Sequence, residues 1–305
     1  MDPVIVIASL MAASTPIVFA AIGELIVEKA GVLNLGVEGM MIIGALAGFI
    51  AAVETGNPFF GFVIGAAAGA AISLLFVVLT QYLIANQVAS GLALTLFGLG
   101  LSALLGHSYT GIRPPPTPKM EFFGLSELPI VGPILFNHDL GVYASIALVA
   151  GVWYFLRYTR QGLILRAIGE NHDAAHALGY KVIRMRVFAI MFGGACAGLG
   201  GAYFSLIRVP LWSEGMTAGI GWIALAIVVF ASWKPWRVIL GAYLFGGVTV
   251  LQLNLQGIGI NIPVAYLSAA PYVATIIVLV IISMDRTKAS LNAPAALGRI
   301  FHASD

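Results

Sequence analysis

Nine runs of apolar residues divide this chain, at roughly 4–22, 32–53, 59–84, 88–106, 140–156, 187–207, 218–232, 238–256 and 268–283. Each comes near the ~20 residues that a helix needs to cross ~30 Å of hydrocarbon. The pattern predicts an all-α polytopic membrane helix bundle of about nine spans, a single transmembrane domain over residues 1–305. Two polar interruptions are too long to be turns. The first, 107–139, contains Pro114, Pro115, Pro116, Pro118, Pro129 and Pro133. Proline locks φ and lacks a backbone donor, so no regular helix runs through this stretch. It reads as an ordered cap outside the membrane with one short helix; a plain connector is the alternative, although one of this length is uncommon.

The second interruption, 157–186, reads RYTRQGLILRAIGENHDAAHALGYKVIRMR and carries Arg157, Arg160, Arg166, Lys181, Arg184 and Arg186 against the acids Glu170 and Asp173. Only 9% of the chain is charged, and this stretch holds six of its 15 Lys and Arg. Such a concentration marks the cytoplasmic side. Ninefold alternation from there places the N-terminus outside and the C-terminus inside. Lys29, Lys234, Arg237, Arg286, Lys288 and Arg299 then join the inside set, leaving Arg113, Lys119 and Arg208 outside. The first half rests on Lys29 alone, so a re-entrant segment there would change the count of spans and leave the second half intact.

Composition agrees with this class. A hydrophobic fraction of 60% and a mean hydropathy of +0.99 exceed the ~45–50% apolar content of soluble domains. The net charge of +2 gives no basis for nucleic-acid binding, and the single cysteine, Cys196, excludes a disulfide framework within the chain. Asp2 stands where a cleavable leader carries basic residues, so the first run reads as a retained span. Gly61, Gly65 and Gly69, Gly44 with Gly48, and Gly194 with Gly198 repeat every four residues, the spacing that lets helices approach closely in lipid. A faint likeness between GVLNLGVEGMMIIGALAGF and GMTAGIGWIALAIVVFASW points to inverted repeats running oppositely through the membrane.

Catalytic chemistry is sparse. There is no GxxxxGK[ST] phosphate loop, and His172 and His176, four apart, lack the further ligands of a metal site. The chain is therefore not read as an enzyme. Within the spans, Asn34 and Glu38 share a helical face, either lining a path or holding helices together. Gln87 and Ser90 begin the fourth run, and Trp222 in the seventh offers a flat ring on which a base could stack. In the basic loop, Asn171 suits the N-cap of a short helix of about eight residues, with Asp173 in its first turn and Gly179 at its C-cap. Ala174, Ala175 and Leu178 form a small apolar edge, either packed on the chain itself or pressed into a soluble partner.

Four segments together, EKAGVLNLGVEGMMIIGALAGF, NQVASGLALTLFG, LRAIGENHDAAHALGYKVIRMRVFAIMFGGACAGLGGAYFSL and GWIALAIVVFASWKPW, resemble permease subunits of bacterial ABC importers. The similarity is to the ribose and branched-chain amino acid group, particularly its nucleoside or purine branch, and covers about residues 20–285. It implies a coupling helix at Glu170–Gly179, with Glu170, Asp173, Ala174, Ala175, Leu178 and Gly179 facing a cytoplasmic ATPase that binds the ATP. No cofactor is expected in this chain. The resemblance also implies an extracytoplasmic substrate-binding lipoprotein, a second permease subunit of the same or a homologous chain, and a place in the bacterial cell membrane. On the residues, Asn34, Glu38, Gln87, Ser90 and Trp222 are the candidates for the substrate path. An ion-coupled secondary transporter, or an importer permease for a sugar or amino acid, is the alternative.

Overall fold

The computed structural model describes residues 3–121, 131–257 and 293–302, with isolated positions between 269 and 280. Within them, seven helices are long and apolar enough to cross a membrane. They are α1 (Pro3–Lys29), α2 (Val37–Thr55), α3 (Pro58–Val77, continued by a π-helical turn to Tyr82), α4 (Gln87–Gly106), α6 (Leu140–Tyr158), α9 (Val182–Tyr203, continued by a π-helical turn to Arg208) and α11 (Pro235–Gly257). A five-residue helix, α5 (Val131–Leu135), lies in the proline-rich stretch. Two helices, α7 (Arg160–Glu170) and α8 (His172–Ala177), form the basic interruption, and α10 (Ile220–Phe230) occupies the seventh apolar run.

Two expectations change. The seventh run is not a span: at 11 residues and ~1.5 Å per residue, α10 covers only about half the hydrocarbon. The ninth run, 268–283, lies outside the described residues. Helix α1 continues seven residues past the predicted end of the first run, because Glu24 and Glu28 are buried and hydrogen-bonded instead of marking a membrane boundary. The fold is helical as expected, with one short pair of strands added. In the cap, β1 (Lys119–Glu121) pairs antiparallel with β2 (Asn137–Asp139), with Met120 opposite His138, and Asp139 caps α6 by accepting from the amides of Gly141 and Val142. Proline and polar residues hide such short strands from a periodicity search.

Glycine determines how the centre packs. A Cβ on Gly48 would lie 2.8 Å from the Gly61 carbonyl, and one on Gly65 2.9 Å from the Gly44 carbonyl. Gly69 and Gly194 stand closer still, and Gly198 meets both Gly44 and Gly65. All three four-residue glycine repeats therefore meet in one α2–α3–α9 core. Several large side chains of α3 point the other way, with Val63, Leu74 and Leu75 exposed, whereas Ile72 and Phe76 are buried. Lipid is as apolar as a leucine, so burial gains little there and close backbone contact decides which face turns inward.

Gly23 lies against Gly193 and Cys196, while Gly200 lies against Pro16, so α1 and α9 are antiparallel. Each is followed by a non-helical break, residues 30–36 after α1 and 209–219 after α9. The breaks lead to α2 and α10, whose first turns touch: a Cβ on Gly221 would lie 2.6 Å from the Glu38 Cα. From that junction α2 runs to the face carrying the cap, where Tyr109 donates to Glu54. Helix α10 runs to the basic face, where the Trp233 indole donates to Glu28 at 2.5 Å. The two segments of faint sequence likeness thus each run from a break into the helix that follows it, in opposite directions.

Candidate functional site

The junction is built from two chain breaks. Gly31 has φ +81°, a conformation glycine adopts without strain, and turns the chain back beside α1. The Asn34 side chain accepts from the Gly36 amide and donates to Glu24 at 3.4 Å, with its backbone amide also reaching Glu24 at 3.3 Å. Helix α10 begins after Gly219, φ +86°, with no side-chain cap of its own. Glu38 supplies one from another helix. Its Oε1 accepts from the Thr217 hydroxyl at 2.6 Å and the Gly219 amide at 2.9 Å, and its Oε2 accepts from the Gly221 amide at 2.7 Å. The carboxylate therefore sits in the first turn of α2 and against the first turn of α10, where both helix dipoles favour negative charge. Ala218, forced to φ +45° between these donors, is the strained residue of the second break.

This geometry separates the five candidate path residues. Asn34 and Glu38 are buried with their polar groups engaged inside the protein, so they hold the two breaks together. Trp222 is different: its indole donates to the Leu35 carbonyl at 3.2 Å, yet the residue is 45% exposed. The Thr95 hydroxyl donates to the same carbonyl at 3.1 Å. Gln87 is buried, its Oε1 accepting from the Leu33 amide at 2.8 Å, while its Nε2 has no hydrogen-bond partner. Ser90 lies one turn further along α4, also buried. The structure thus gathers all five around residues 33–38. Thr217 and the Gly219 and Gly221 amides were missed from sequence, since an amide donor leaves no residue-type signal; the clustered glycines of GMTAGIG were the available hint.

The basic face forms the second region. The Asn171 side chain accepts from the Ala174 amide at 3.0 Å, and Gly179 takes φ +85°, so the expected caps of α8 are in place. The helix is six residues, not about eight. Its apolar edge is split. Ala175 is 3% exposed and packs with Ile164, Ile168, Val182 and Phe301 of its own chain, so the expectation that it faces a partner is corrected. Leu178 is 76% exposed, and Glu170, Asp173, Ala174 and Gly179 lie on the open side with it. The preceding helix α7 was not predicted; Ile164, Leu165 and Ile168 form its buried stripe.

One buried cation ties this region together. Arg186 donates to the carbonyls of Ala30 and Arg299 and to His172 Nδ1 at 3.2 Å. Arginine only donates, so the ring proton of neutral His172 sits on Nε2, 3.6 Å from Asp173. Burial first, then the Arg186 charge, hold the imidazole below the ordinary histidine value. Phe301 stacks edge-on against both His172 and His176. The histidine pair is thus a packing element, and no group of three or more metal-ligating side chains occurs among the described residues.

Comparison with known proteins places these features in a family. The family described as branched-chain amino acid transport system / permease component matches residues 6–284. A putative glucose ABC transporter permease protein of Haloferax volcanii is 40% identical, covering 93% of both chains. A nucleoside ABC transporter permease protein of Lactococcus lactis is 34% identical over 90% of this chain and 91% of its own. A guanosine ABC transporter permease protein of Bacillus subtilis is 32% identical over the same shares. No solved structure matches.

Proposed function

The chain belongs to the permease-component family of branched-chain amino acid transport systems, a multi-pass membrane permease of an ABC importer, and on that premise we propose that its two chain breaks form the translocation site for a nucleoside. The observation that carries this reading is Trp222, half-exposed beside the Leu35 carbonyl at the point where the breaks meet. Discontinuous helices are where transporters place their solutes, because unwound backbone offers free polar groups at mid-membrane depth. The indole face is suited to stacking on a nucleobase. Gln87 supplies a free amide donor, Ser90 lines the same side, and Asn34 and Glu38 hold the frame without touching solute. The L. lactis and B. subtilis relatives favour a nucleoside; the H. volcanii relative favours the second reading, a sugar such as glucose.

The basic face is read as cytoplasmic, with the cap outside. Transport energy comes from a separate ATPase that binds the ATP and docks on α8 and its flanks, with Leu178 as the apolar anchor and Glu170 and Asp173 at the rim. Binding and hydrolysis there tilt the bundle and alternate access to the junction. A second permease subunit and a substrate-binding lipoprotein complete the importer. The test is uptake of a labelled purine nucleoside against labelled glucose in Trp222→Ala. Stacking contributes about 1–3 kcal/mol per base, so nucleoside uptake should fall by about fivefold to about a hundredfold. Unchanged uptake of every base-containing solute would remove the stacking site, and wild-type uptake of glucose alone would select the sugar reading. Leu178→Glu, altering one exposed side chain, should abolish co-purification with the ATPase; a complex of ordinary stability would remove the docking assignment.

A further inference from the structure

Two clefts outside the junction share three residues and differ sharply in chemistry. One, of about 440 Å³, runs along the membrane-facing side between α1, α6 and α9 and is apolar throughout, with Ile26, Val152 and Phe192 among its walls. The other, of about 690 Å³, lies at the basic end of the same helices and is rimmed by Arg160, Lys181 and Arg184. Phe155, Met185 and Phe188 line both, so the two form one continuous groove. No Asp or Glu lines either cleft. All three basic residues are exposed, and the Arg184 guanidinium rests over the Phe188 ring at 5.9 Å.

The depth of the basic cleft is set by neighbouring rings. On α6, Trp153 and Tyr158 pack edge to face at 5.5 Å, and Arg157 lies over both rings, 5.9 and 5.8 Å from their centres. Aromatic and basic residues together mark the level of lipid headgroups. The cationic rim is thus at headgroup depth and the apolar trough at acyl-chain depth. The trough is open beside Gly151, where a Cβ built on the backbone meets nothing within 4 Å.

We propose that this groove between α1, α6 and α9 is a binding site for an anionic phospholipid, its headgroup phosphate on Arg160, Lys181 and Arg184 and an acyl chain in the trough past Gly151. Basic pockets between membrane helices recognise anionic headgroups through their charge, and the adjoining trough supplies the apolar surface that a free phosphate cannot use. Gly179 and Tyr180, which follow α8, also line the basic cleft. A lipid seated there would touch the segment joining the coupling helix to α9. The site is separate from the solute junction, while its Gly179 end adjoins the flank of α8 on which the ATPase is proposed to dock.

The test uses the full-length chain purified with the subunits that accompany it, exposed to phosphatidylglycerol or phosphatidylcholine and examined by native mass spectrometry. Wild type should retain phosphatidylglycerol over phosphatidylcholine by roughly tenfold or more, since each basic residue near an anionic headgroup contributes about a factor of five. The triple variant R160Q/K181Q/R184Q should lose that preference. Gly151→Phe, which fills the trough and leaves the cations in place, should lower phosphatidylglycerol retention while its thermal midpoint stays that of wild type. Equal retention of the two lipids by wild type, or full retention by Gly151→Phe, would overturn the site. A disulfide between two chains bearing Phe188→Cys would also overturn it, by showing that the face packs against a second copy.

Discussion

The two helix–break–helix units follow one path in opposite directions, yet they bring opposite chemistry to the place where they meet. The first unit, α1 to α3, supplies acceptors: the Glu28 and Glu38 carboxylates and the Leu35 carbonyl. The second, α9 to α11, supplies donors: the Thr217 hydroxyl, the Gly219 and Gly221 amides and the indoles of Trp222 and Trp233. Unwinding a helix within a bilayer exposes backbone groups that cost several kcal/mol each when unpaired. Each unit therefore leaves a need that the other satisfies. A backbone path can repeat without its side chains repeating, and here the asymmetry is what joins the halves.

Removing the shared acceptor should break that complementarity most severely. Glu38→Ala leaves three donors unpaired, two buried and one part-buried, at about 1–3 kcal/mol each, so thermal unfolding of the purified protein should register a loss of roughly 3–9 kcal/mol. Thr217→Val removes one donor and should cost about 1 kcal/mol; the double variant should cost little more than Glu38→Ala alone, because both act on one bond. Additive losses would show that the units do not depend on each other here.

Gly198→Ala probes the other joint between units, where α9 meets α2 and α3. Its Cβ would press on the Gly65 carbonyl and lie 3.0 Å from the Gly69 Cα. Overpacking of this kind costs about 1–3 kcal/mol, read as a lower thermal midpoint and less protein in the membrane; a wild-type midpoint would show that the interface yields. Trp233→Phe keeps an aromatic ring, though a smaller one, and deletes the donor to Glu28, with an expected loss of about 2 kcal/mol. Should it prove neutral, the second acceptor–donor joint would be dispensable and Glu38 would carry the asymmetry alone.

The smallest effect concerns pH. In the folded chain His172 is held below the histidine reference of ~6.5. The unfolded state then binds more protons as pH falls through that value, so the contribution of neutral His172 is present above it and lost on acidification. Between pH 7.5 and 5.5 the 293–302 segment, which Phe301 and the Arg299 carbonyl fasten beside Arg186, should become more open to protease. His172→Gln should remove that pH dependence; identical cleavage profiles in both proteins would detach the segment from this residue.

The membrane class, the glycine contact faces and the caps of α8 were legible in the sequence. Each depends on residues close in the chain: hydropathy over ~20 positions, small residues every fourth position, or a polar side chain bonding an amide three residues ahead. Tertiary structure alone decided that the seventh run stops at half a span and that Ala175 turns inward while Leu178 turns out. It also decided that Glu38 caps a helix through an amide 181 residues away and that Arg186 is buried with carbonyls from residues 30 and 299. Lipid removes the polar–apolar contrast that marks an inward face in soluble proteins. A hydrogen bond between distant breaks leaves no periodic trace in either one, so only the assembled bundle determines which buried charge meets which donor.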